Sequence, residues 1–582
     1  MNNNHYKDRS AFETIRLMKD FLLNNNIMVY EKWYINNGNM YSLSLMVDNT
    51  MITVNGKGVT KELALASAYG ELAERLFAYV PFRMKNSWYN LDCKISQEEK
   101  NVSMDIAENL IKNYFSLIGK DSNTYNKFIS QIMRFSQLKG NSKYQKTILF
   151  KNASDNTKLW LPIDFLDLLY GTNGMAAGNT IEEAMVQGLS EILERYVIRQ
   201  CILKRLSPPE LSQNLFNSLD NNKQILESIN AIEHSGRYSV KVRALSLGAK
   251  IPAIGIILYD KVNRGYLVKV GVHPKLEIAL ERCFTELLQG HHLRLIDNYR
   301  NIMLVRNCTK NPGDINNICR FYVDSHAHIP IEFFINEQVS YMPLTENNSF
   351  NNNIEMYKYL SEIIHQLGYE IFVHDYSKIS IYSVQILVPG LSEYGAINDA
   401  YLDKVNEQYE VSRILLGGMK NYTYEQIKFL ITFINKYIKS QTEPIASLIL
   451  TIHLKKNSIY HKITIALFKF MLYLLIKDEN GALEAIKSYN HLLRESGKEI
   501  RVYSCCEEYL TLKENYKSSE IDYFLKNYYT DEELSITKHL LDNDFVDELY
   551  AISCSYNCDG CKHNHVCGEV NYNEVYKKIR ES

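Results

Sequence analysis

Apolar side chains recur every three or four positions in three stretches of the N-terminal half, which is the spacing of a helix with one buried face. The stretches run over about Lys61–Val80, Ile181–Arg199 and Glu277–Leu295. Short segments rich in Val, Ile and Tyr lie around these helices, and their Gly, Pro or Asn boundaries predict strands. The predicted strands are Met40–Val47, Met51–Val54, Tyr238–Leu247, Ile254–Tyr259, Gly265–Val272, Glu370–Val373 and Ile381–Val388. This mixture predicts an α/β domain over about residues 1–400.

The C-terminal part has a different pattern, with almost no strand signal from about Tyr422 to Leu541. Successive amphipathic runs predict helices at Glu425–Ile438, Tyr460–Leu475 and Gly481–Leu493. Short polar breaks indicate stacked helix pairs of tetratricopeptide type, but no consensus repeat is readable and an irregular helical bundle fits as well. We therefore predict an α/β domain at 1–400, an all-α tetratricopeptide-like domain at 401–545 and a cysteine-rich tail at 546–582.

Composition narrows the class of protein. The 582 residues are 46% hydrophobic and 23% charged, the usual balance of a globular chain with a large core. The formal net charge of −2 argues against sequence-independent binding of DNA or RNA, and we expect no direct nucleic-acid partner. The most apolar stretch, Ile463–Ile476, includes Lys469 and is too short for a membrane span, so it predicts a buried helix. No secretory signal is visible in Met1–Ser10, and we expect a cytoplasmic protein without membrane contact.

The chain contains an internal duplication. At an offset of 120 residues, Gly58–Arg75 falls on Gly178–Arg195, and seven of the 18 positions are identical. Each segment then carries a polar stripe at i, i+4 and i+7, a spacing that lies on one helix face: Ser67, Glu71 and Glu74 in the first, and Gln187, Glu191 and Glu194 in the second. Neighbouring carboxylates repel each other unless divalent cations lie between them. A solvated acidic face would explain one such helix, but the same stripe in two helices favours a cation site.

Two further features belong to these helices. Thr180 and Glu183 have the spacing of a capping box, which predicts where the second helix starts. The third helix has a stripe of Arg282, Glu286 and Gln289. Arg at i and Glu at i+4 can form an ordinary helix salt bridge. The planar guanidinium is also a ligand for phosphate oxyanions, but the residues alone favour the salt bridge.

Four strings in the chain resemble the YcaO family. They are Gly56–Lys61, Asn173–Thr180, Gln187–Tyr196 and Arg282–Gly290. The glycine-rich run that leads into a Gln-x3-Glu-x2-Glu-Arg helix is highly specific, and the resemblance covers about residues 1–400. The chain is most similar to the stand-alone type within the family, in which a helical C-terminal domain also follows. The residues that carry this similarity are Lys7, Asp8, Thr14, His374–Tyr376 and Val388–Ser392.

The resemblance implies a fold and a ligand. The fold is a YcaO-type core of mostly antiparallel sheets with flanking helices, and the ligand is ATP with Mg²⁺. YcaO domains use no Walker loop, and no Gly-x4-Gly-Lys-Ser/Thr string occurs in this chain. The implied Mg²⁺ ligands are Glu71, Glu74, Glu191 and Glu194. The implied nucleotide contacts are Lys7, Thr14, Ser67, Gln187, Arg195, Arg282 and Glu286. A homodimer is also expected from the resemblance, which identifies no catalytic base.

The activity implied by the resemblance is ATP-dependent activation of a peptide-backbone amide. The amide oxygen attacks a phosphate of ATP, and the phosphorylated amide loses phosphate after a nucleophile adds. Stand-alone members are instead linked to β-methylthiolation of an Asp on a small-subunit ribosomal protein, as accessory factors to a radical methylthiotransferase. Thioamide or azoline formation on a dedicated precursor peptide is one alternative. A non-catalytic nucleotide-binding scaffold that recruits a modification enzyme is another.

Four cysteines are concentrated in the tail, at Cys554, Cys558, Cys561 and Cys567. Tetrahedral Zn²⁺ and an Fe–S cluster both use four such ligands, and the spacing does not separate them. Unliganded thiols are the remaining interpretation, because cytosolic surroundings disfavour disulfides. We expect a metal that stabilises the helical domain or supports docking, without a catalytic role.

Overall fold

The computed structural model describes residues 6–582 except 35–39, 84–93, 122–124, 140–142, 249–250, 288–302, 305–314, 326, 336–337, 394–398, 439, 498–499, 548, 550 and 553–560. Three sheets are present in the described part, and all their strand pairs are antiparallel. The first has the order β1 (Val29–Tyr34), β2 (Tyr41–Val47), β3 (Thr53–Gly58). The largest has the order β4 (Glu99–Ser103), β5 (Tyr144–Asn152), β12 (Phe372–Asp375), β13 (Tyr382–Leu387), β7 (Met175–Gly178), with β6 (Lys158–Pro162) beside β5. The third has the order β11 (Met303–Leu304), β10 (Gly265–Val272), β9 (Ala253–Asp260), β8 (Tyr238–Ala244).

Helices flank these sheets and form the C-terminal part. Those up to residue 366 are α1 (Ala11–Asn24), α2 (Lys61–Phe77), α3 (Val80–Arg83), α4 (Met104–Leu117), α5 (Asn126–Leu138), α6 (Ile163–Leu169), α7 (Ile181–Leu203), α8 (Gln213–Asn217), α9 (Asn222–Glu233), α10 (Leu276–Leu287), α11 (Ile315–Asp324) and α12 (Asn353–Gln366). The later ones are α13 (Asp399–Leu416), α14 (Tyr424–Tyr437), α15 (Ile459–Lys462), α16 (Ile465–Leu475), α17 (Glu479–Glu495), α18 (Arg501–Lys513), α19 (Ser518–Leu525), α20 (Asp531–Leu541) and α21 (Glu569–Glu581). Short 3-10 turns lie at Ile331–Phe333, Met419–Asn421, Ile445–Leu448 and Asp544–Asp547.

The predicted strands all overlap observed ones, and β10 coincides with its prediction. The sequence did not predict β1, β4–β7 or β11. In β5 the reason is visible, because Gln145 and Lys146 are buried in the middle of the sheet and interrupt the apolar pattern. Lys146 lies 3.9 Å from Glu99 on the neighbouring strand, so a buried ion pair replaces the expected apolar residue.

Three strand–helix units surround one region. In the first two, β3 ends at Gly58 and β7 at Gly178, and Thr60 or Thr180 then caps the helix by accepting a hydrogen bond from a first-turn amide. The duplication in the sequence is therefore also a structural one. In the third unit β10 leads into α10. Each helix packs on its own strand and touches the strand of another unit (α2 on β7, α7 on β10 and α10 on β3), which closes a ring.

Gly56 lets α2 approach β3 closely. A Cβ atom there would lie 2.1 Å from the carbonyl oxygen of Ala64 and 2.6 Å from the Cβ of Ala68.

We expect Gly56→Ala to lower the free energy of unfolding by about 3 kcal/mol, because the added methyl group meets backbone rather than a movable side chain. Gly70→Ala is the control, since no described atom outside its chain neighbours and its own helix backbone lies within 4 Å of its Cβ position. It should leave stability unchanged or raise it by about 0.5–1 kcal/mol in urea unfolding. Equal losses in both variants would contradict the expectation.

The C-terminal helices enclose a separate core. Helix α16, within the apolar stretch Ile463–Ile476, is buried in it, as predicted. The prediction of one helix over Tyr460–Leu475 is wrong, because the chain leaves the helical conformation at Ile463 and Thr464 caps a new helix through the amide of Leu467. No described helix is both long and apolar enough to cross a membrane.

The last helix returns to the N-terminal core. Helix α21 shares a hydrophobic cluster with α2 and the first sheet through Tyr572, Val575, Tyr576 and Ile579. The ring of Tyr576 lies 5.4 Å from that of Tyr79 and 5.8 Å from that of Phe82. Lys378, in the turn between β12 and β13, donates a hydrogen bond to the carbonyl of Ile579 at 2.7 Å. The end of the chain is thus attached to the α/β domain, beside the turn that follows β12.

Candidate functional site

The ring of strand–helix units encloses a cavity of about 450 Å³. Eleven residues singled out in the sequence line it: Lys7, Thr14, Ser67, Glu71, Glu74, Gln187, Glu191, Glu194, Arg195, Arg282 and Glu286. They come from α1 and the segment before it and from α2, α7 and α10. The fold therefore brings these residues together across 280 positions of sequence.

The two acidic stripes face each other with an arginine on each helix. Arg75 lies 3.0 Å from Glu74 and 3.5 Å from Glu71. On the other helix Arg195 lies 2.6 Å from Glu191. These arginines neutralise part of the carboxylate charge while no cation is bound.

Two carboxyl groups have strongly altered acidity. Burial raises the pKa of Glu74 to about 8, and Glu191 adds to this effect although Arg75 opposes it. Burial, and then the nearby carboxylate of Glu286, raise the pKa of Glu194 to about 8. Both groups therefore carry protons at neutral pH in the cation-free protein.

This acidity predicts a pH-dependent stability. Glu74 and Glu194 keep their protons up to about pH 8 when folded, whereas both would ionise near 4.5, their ordinary pKa, when unfolded. Their stabilising effect is therefore full below pH 4.5 and is lost as the pH rises through 8. In EDTA, we expect the midpoint of thermal unfolding to fall between about pH 5 and pH 8, and to fall less in the double variant Glu74→Gln, Glu194→Gln. The exposed Glu62→Gln on α2 should follow wild type, and an unchanged slope in the double variant would refute this account.

The third helix contributes one guanidinium and one ionised carboxylate. Arg282 donates to the carbonyl of Val272 at 3.1 Å and to the side-chain oxygen of Gln187. Glu286 pairs with Lys57 at 2.6 Å, so the helix salt bridge that the spacing allowed is replaced by contacts to other elements. Burial acts to raise the pKa of Glu286, but Lys57, Lys269 and Arg282 together outweigh it and hold the pKa below its ordinary value.

The N-terminal segment forms one wall of the cavity. Lys7 and the amide of Asp8 each donate to the carboxylate of Glu183, both at 2.9 Å. Thr14 donates to the side-chain oxygen of Asn179 at 2.7 Å. Because Glu183 binds the N-terminal segment, only the threonine half of the predicted capping box forms. Burial acts to raise the pKa of Glu183, but Lys7 and the Asp8 amide lower it more.

Several polar lining residues were not predicted as site residues from the sequence, among them Lys57, Asn179, Glu183 and Lys269. Lys57 and Asn179 lie within strings that identified the family, but neither belongs to a helical stripe. Glu183 was interpreted as a helix cap. Lys269 lies on β10 and donates to the hydroxyl of Ser325 at 2.8 Å. The string Gly56-Lys57-Gly58, which helped to identify the family, could have been used to predict Lys57 as a site residue.

The carboxyl groups that line the cavity are suitable ligands for Mg²⁺ that is also bound by a phosphate. Their donors are carboxylate oxygens, which Mg²⁺ prefers, and two of the groups hold protons that a cation would displace. Within the described part of the chain, no three His, Cys, Asp or Glu side chains converge as ligands of one ion. Mg²⁺ commonly takes only one or two protein carboxylates and completes its shell with water and substrate phosphates. The residues therefore fit a cation that arrives with a phosphate ligand.

Part of the cysteine prediction lies beyond what the structure describes. Cys554 and Cys558 fall within residues 553–560, so their role as ligands stays a prediction. Gln289 likewise lies outside the described residues. Cys561 and Cys567 are half-buried, and the amide of Cys567 donates to the carbonyl of His563 at 2.8 Å. The structure does not distinguish between Zn²⁺ and an Fe–S cluster as the predicted ligand of this tail.

Comparisons with known proteins bear on the same region. A family model described as YcaO cyclodehydratase, ATP- and Mg²⁺-binding, matches residues 55–392. The chain is 30% identical over 356 residues to the ribosomal protein S12 methylthiotransferase accessory factor YcaO of Escherichia coli K12, covering 60% of this chain and 58% of that protein. It is 30% identical over 385 residues to an uncharacterized protein of Haemophilus influenzae, covering 62% of this chain and 61% of that one. The chain thus spans about three fifths of the length of these curated relatives.

Solved structures match more distantly. A heterocyclase in complex with substrate and cofactor is 18% identical with a TM-score of 0.46, covering 67% of this chain and 54% of that one. YcaO from Methanopyrus kandleri bound with AMPPCP and Mg²⁺ is 17% identical with a TM-score of 0.43, covering 68% of this chain and 94% of that one. We assign no residue from either. The family model spans more than half of this sequence and includes the acidic helices and the arginine-bearing helix, and the chain belongs to the YcaO family.

Proposed function

We propose that this chain binds ATP together with Mg²⁺ in the cavity between α2, α7 and α10, and that it uses ATP to activate a peptide-backbone amide. The observation that carries this proposal is the convergence of two duplicated acidic helices and an arginine-bearing helix on one cavity. At about 450 Å³, the cavity falls within the size range of small-ligand sites. The proposed Mg²⁺ ligands are Glu71, Glu74, Glu191 and Glu194.

The proposed nucleotide contacts differ in their chemistry. Arg195 and Arg282 supply positive charge for phosphate oxygens, and Lys57 keeps Glu286 ionised next to them. The neutral contacts are Thr14, Ser67 and Gln187, and Lys7 lies on the N-terminal wall with Thr14. Arg282 is already held by Val272 and Gln187, so it needs little reordering when a phosphate arrives.

The proposed reaction is a phosphoryl transfer followed by a displacement. The amide oxygen forms a bond to a phosphorus of ATP while the bond from that phosphorus to its leaving oxygen breaks. A nucleophile then adds to the amide carbon, and the phosphorylated oxygen leaves as phosphate. Such transfers depend mostly on positioning and on neutralisation of charge, and Mg²⁺ supplies part of that neutralisation when bound. We assign no catalytic base.

The proposed biological role is that of an accessory factor for β-methylthiolation of a small-subunit ribosomal protein, acting with a radical methylthiotransferase. The similarity to the Escherichia coli accessory factor supports this role. The first alternative is an enzyme that forms thioamides or azolines on a precursor peptide. The second is a scaffold that binds nucleotide without using it and recruits a modification enzyme.

Calorimetric titration with ATP and with a non-hydrolysable analogue tests the nucleotide site. We expect binding that requires Mg²⁺ and weakens at least about tenfold in the double variant Glu71→Gln, Glu191→Gln, because removing ligand charge weakens the cation site. Glu62→Gln, on the exposed face of α2, is the matched control and should bind like wild type. Absence of binding by the wild type would refute the proposal.

A pull-down experiment distinguishes the proposed accessory-enzyme role from the scaffold alternative. A purified radical methylthiotransferase would serve as bait, with the wild type or the Glu71→Gln, Glu191→Gln variant as prey. Recovery that depends on Mg²⁺, ATP and the two carboxylates would support the proposed role. Equal recovery of both proteins without ATP would favour the scaffold.

A further inference from the structure

Helix α19 and the turn that follows it expose aromatic rings that do not pack in the core of the C-terminal domain. Helix α19 buries Ile521 and Leu525 in a small apolar cluster. On the outer side, Tyr523 is 81% exposed, Tyr528 is 60% exposed and Phe524 is 49% exposed. The rings of Phe524 and Tyr528 lie 5.4 Å apart. We call these three residues the aromatic patch. Adjacent exposed aromatic side chains of this size typically mark an interaction surface.

The backbone that carries the patch is fixed. The amide of Tyr528 donates to the carbonyl of Leu525 at 2.9 Å, and the side chain of Asn527 donates to the carbonyl of Phe524 at 2.8 Å. Arg501, on α18, donates to the carbonyl of Tyr528 at 2.9 Å. A partner would therefore meet rings on an ordered backbone, and association would not have to order a loop.

The surroundings of the patch are acidic. Between Glu514 and Ser535 there are six acidic and two basic residues, a net charge of −4, compared with −2 for the whole chain. Three of the six carboxylates are paired within the chain: Asp531 with Lys526 at 3.2 Å, and Asp522 and Glu533 with Lys538 and Arg501, which lie outside this segment. Glu514 and Glu532 are exposed. The patch therefore presents aromatic faces within a region of negative charge.

We propose that the aromatic patch docks a segment of a partner polypeptide that is rich in Arg and Lys. Guanidinium and ammonium groups are attracted to the faces of Tyr and Phe rings, and arginine stacks on them. The surrounding carboxylates would steer a basic segment to the patch from a distance. Docking on this surface does not depend on nucleotide, because none of the three residues lines the cavity.

Charge argues against the other occupants. A second copy of the chain facing the same patch across a two-fold axis would bring the exposed carboxylates of the two copies, among them Glu514 and Glu532, close to each other. A nucleic acid or an anionic membrane surface would present phosphate groups to the same carboxylates. A basic polypeptide satisfies both the aromatic faces and the acidic surroundings.

Fluorescence anisotropy on the full-length protein tests this inference. The probe is a fluorescein-labelled peptide of six Arg-Gly repeats, titrated in the presence of Mg²⁺ at two salt concentrations. We expect saturable binding that weakens with salt and that weakens at least about tenfold in the double variant Tyr523→Ser, Tyr528→Ser. Glu514→Gln, Glu532→Gln should weaken it about threefold through the lost attraction. Tyr424→Ser removes an aromatic residue that is 52% exposed elsewhere, on α14, and should leave binding unchanged.

Equal affinity of the wild type and the tyrosine double variant would overturn the inference, as would equal binding of a peptide of six Glu-Gly repeats. Dimerisation that the tyrosine variant abolishes, without peptide binding, would assign the patch to a second copy instead. Thermal unfolding would establish that both variants are folded. A titration of the tyrosine variant with Mg²⁺ and ATP separates the two proposals. If this variant loses peptide binding but still binds nucleotide, the result supports the docking surface. This conclusion does not depend on whether the proposed nucleotide chemistry is correct.

Discussion

Replacing Arg282 by glutamine is expected to weaken the binding of ATP with Mg²⁺ by about 100-fold, because a hydrogen-bonded guanidinium contributes about 1.5–3 kcal/mol to binding an anion. The side chain is oriented before ligand arrives by the carbonyl of Val272 and by Gln187. Arg282→Lys keeps the charge but loses the planar pair of donors, so we expect about a tenfold loss. Calorimetric titration at a fixed Mg²⁺ concentration measures both variants.

A matched control lies on the first helix. Arg16 is exposed on α1 and does not line the cavity, so Arg16→Gln should bind ATP like wild type. If Arg282→Gln bound ATP as tightly as wild type, the guanidinium would act only as a link between β10 and α7. Weak binding by both Arg282→Gln and Arg282→Lys would show that geometry, and not charge alone, is recognised.

Replacing Lys139 by methionine is expected to lower the free energy of unfolding by about 3–5 kcal/mol, which is a large part of the stability of a typical domain. Lys139 and Asp164 are both 0% exposed and lie 2.6 Å apart. Lys139 also donates to the carbonyl of Arg83 at 2.8 Å, and Ser136 donates to Asp164 at 2.6 Å. Without Lys139 the carboxylate would stay buried with its positive partner gone. Urea unfolding followed by circular dichroism measures the loss.

Two further variants test the cause. Lys139→Met combined with Asp164→Leu removes both charges and should recover much of the loss, because no buried charge is then left uncompensated. Lys487 pairs with Glu484 at 3.0 Å on the exposed face of α17, and Lys487→Met should cost less than about 1 kcal/mol. A loss in Lys139→Met no larger than in Lys487→Met would mean that the buried pair adds no net stability.

Sequence periodicity identified the three helices around the cavity because each has one buried face and one polar stripe. The duplicated Glu-x2-Glu-Arg spacing also selected Glu71, Glu74, Glu191 and Glu194, and all four line the same cavity. Periodicity failed for β5, since a strand with buried polar residues does not alternate as the pattern requires.

The partners of the site residues could not be predicted from spacing. Lys7 and Glu183 are 176 positions apart, and Lys57 and Glu286 are 229 apart, so no local pattern connects them. Spacing also suggested that Arg282 and Glu286 form a pair, whereas the tertiary fold gives each a partner on another element. Helical spacing shows which side chains share a face, but the contacts across the cavity depend on how distant segments pack.

The position of α21 also bears on how the protein is made. Because Tyr572 and Tyr576 complete the core around α2, the α/β domain is assembled from segments that lie far apart in the sequence. Translation delivers the N-terminus first, so that core lacks one side until Glu569–Glu581 has been synthesised and has left the ribosome. A message truncated before Glu569 would yield a protein with every cavity residue present but with Tyr79 and Phe82 deprived of their contacts with the ring of Tyr576. Such a product would expose apolar surface and become a substrate for chaperones and proteases.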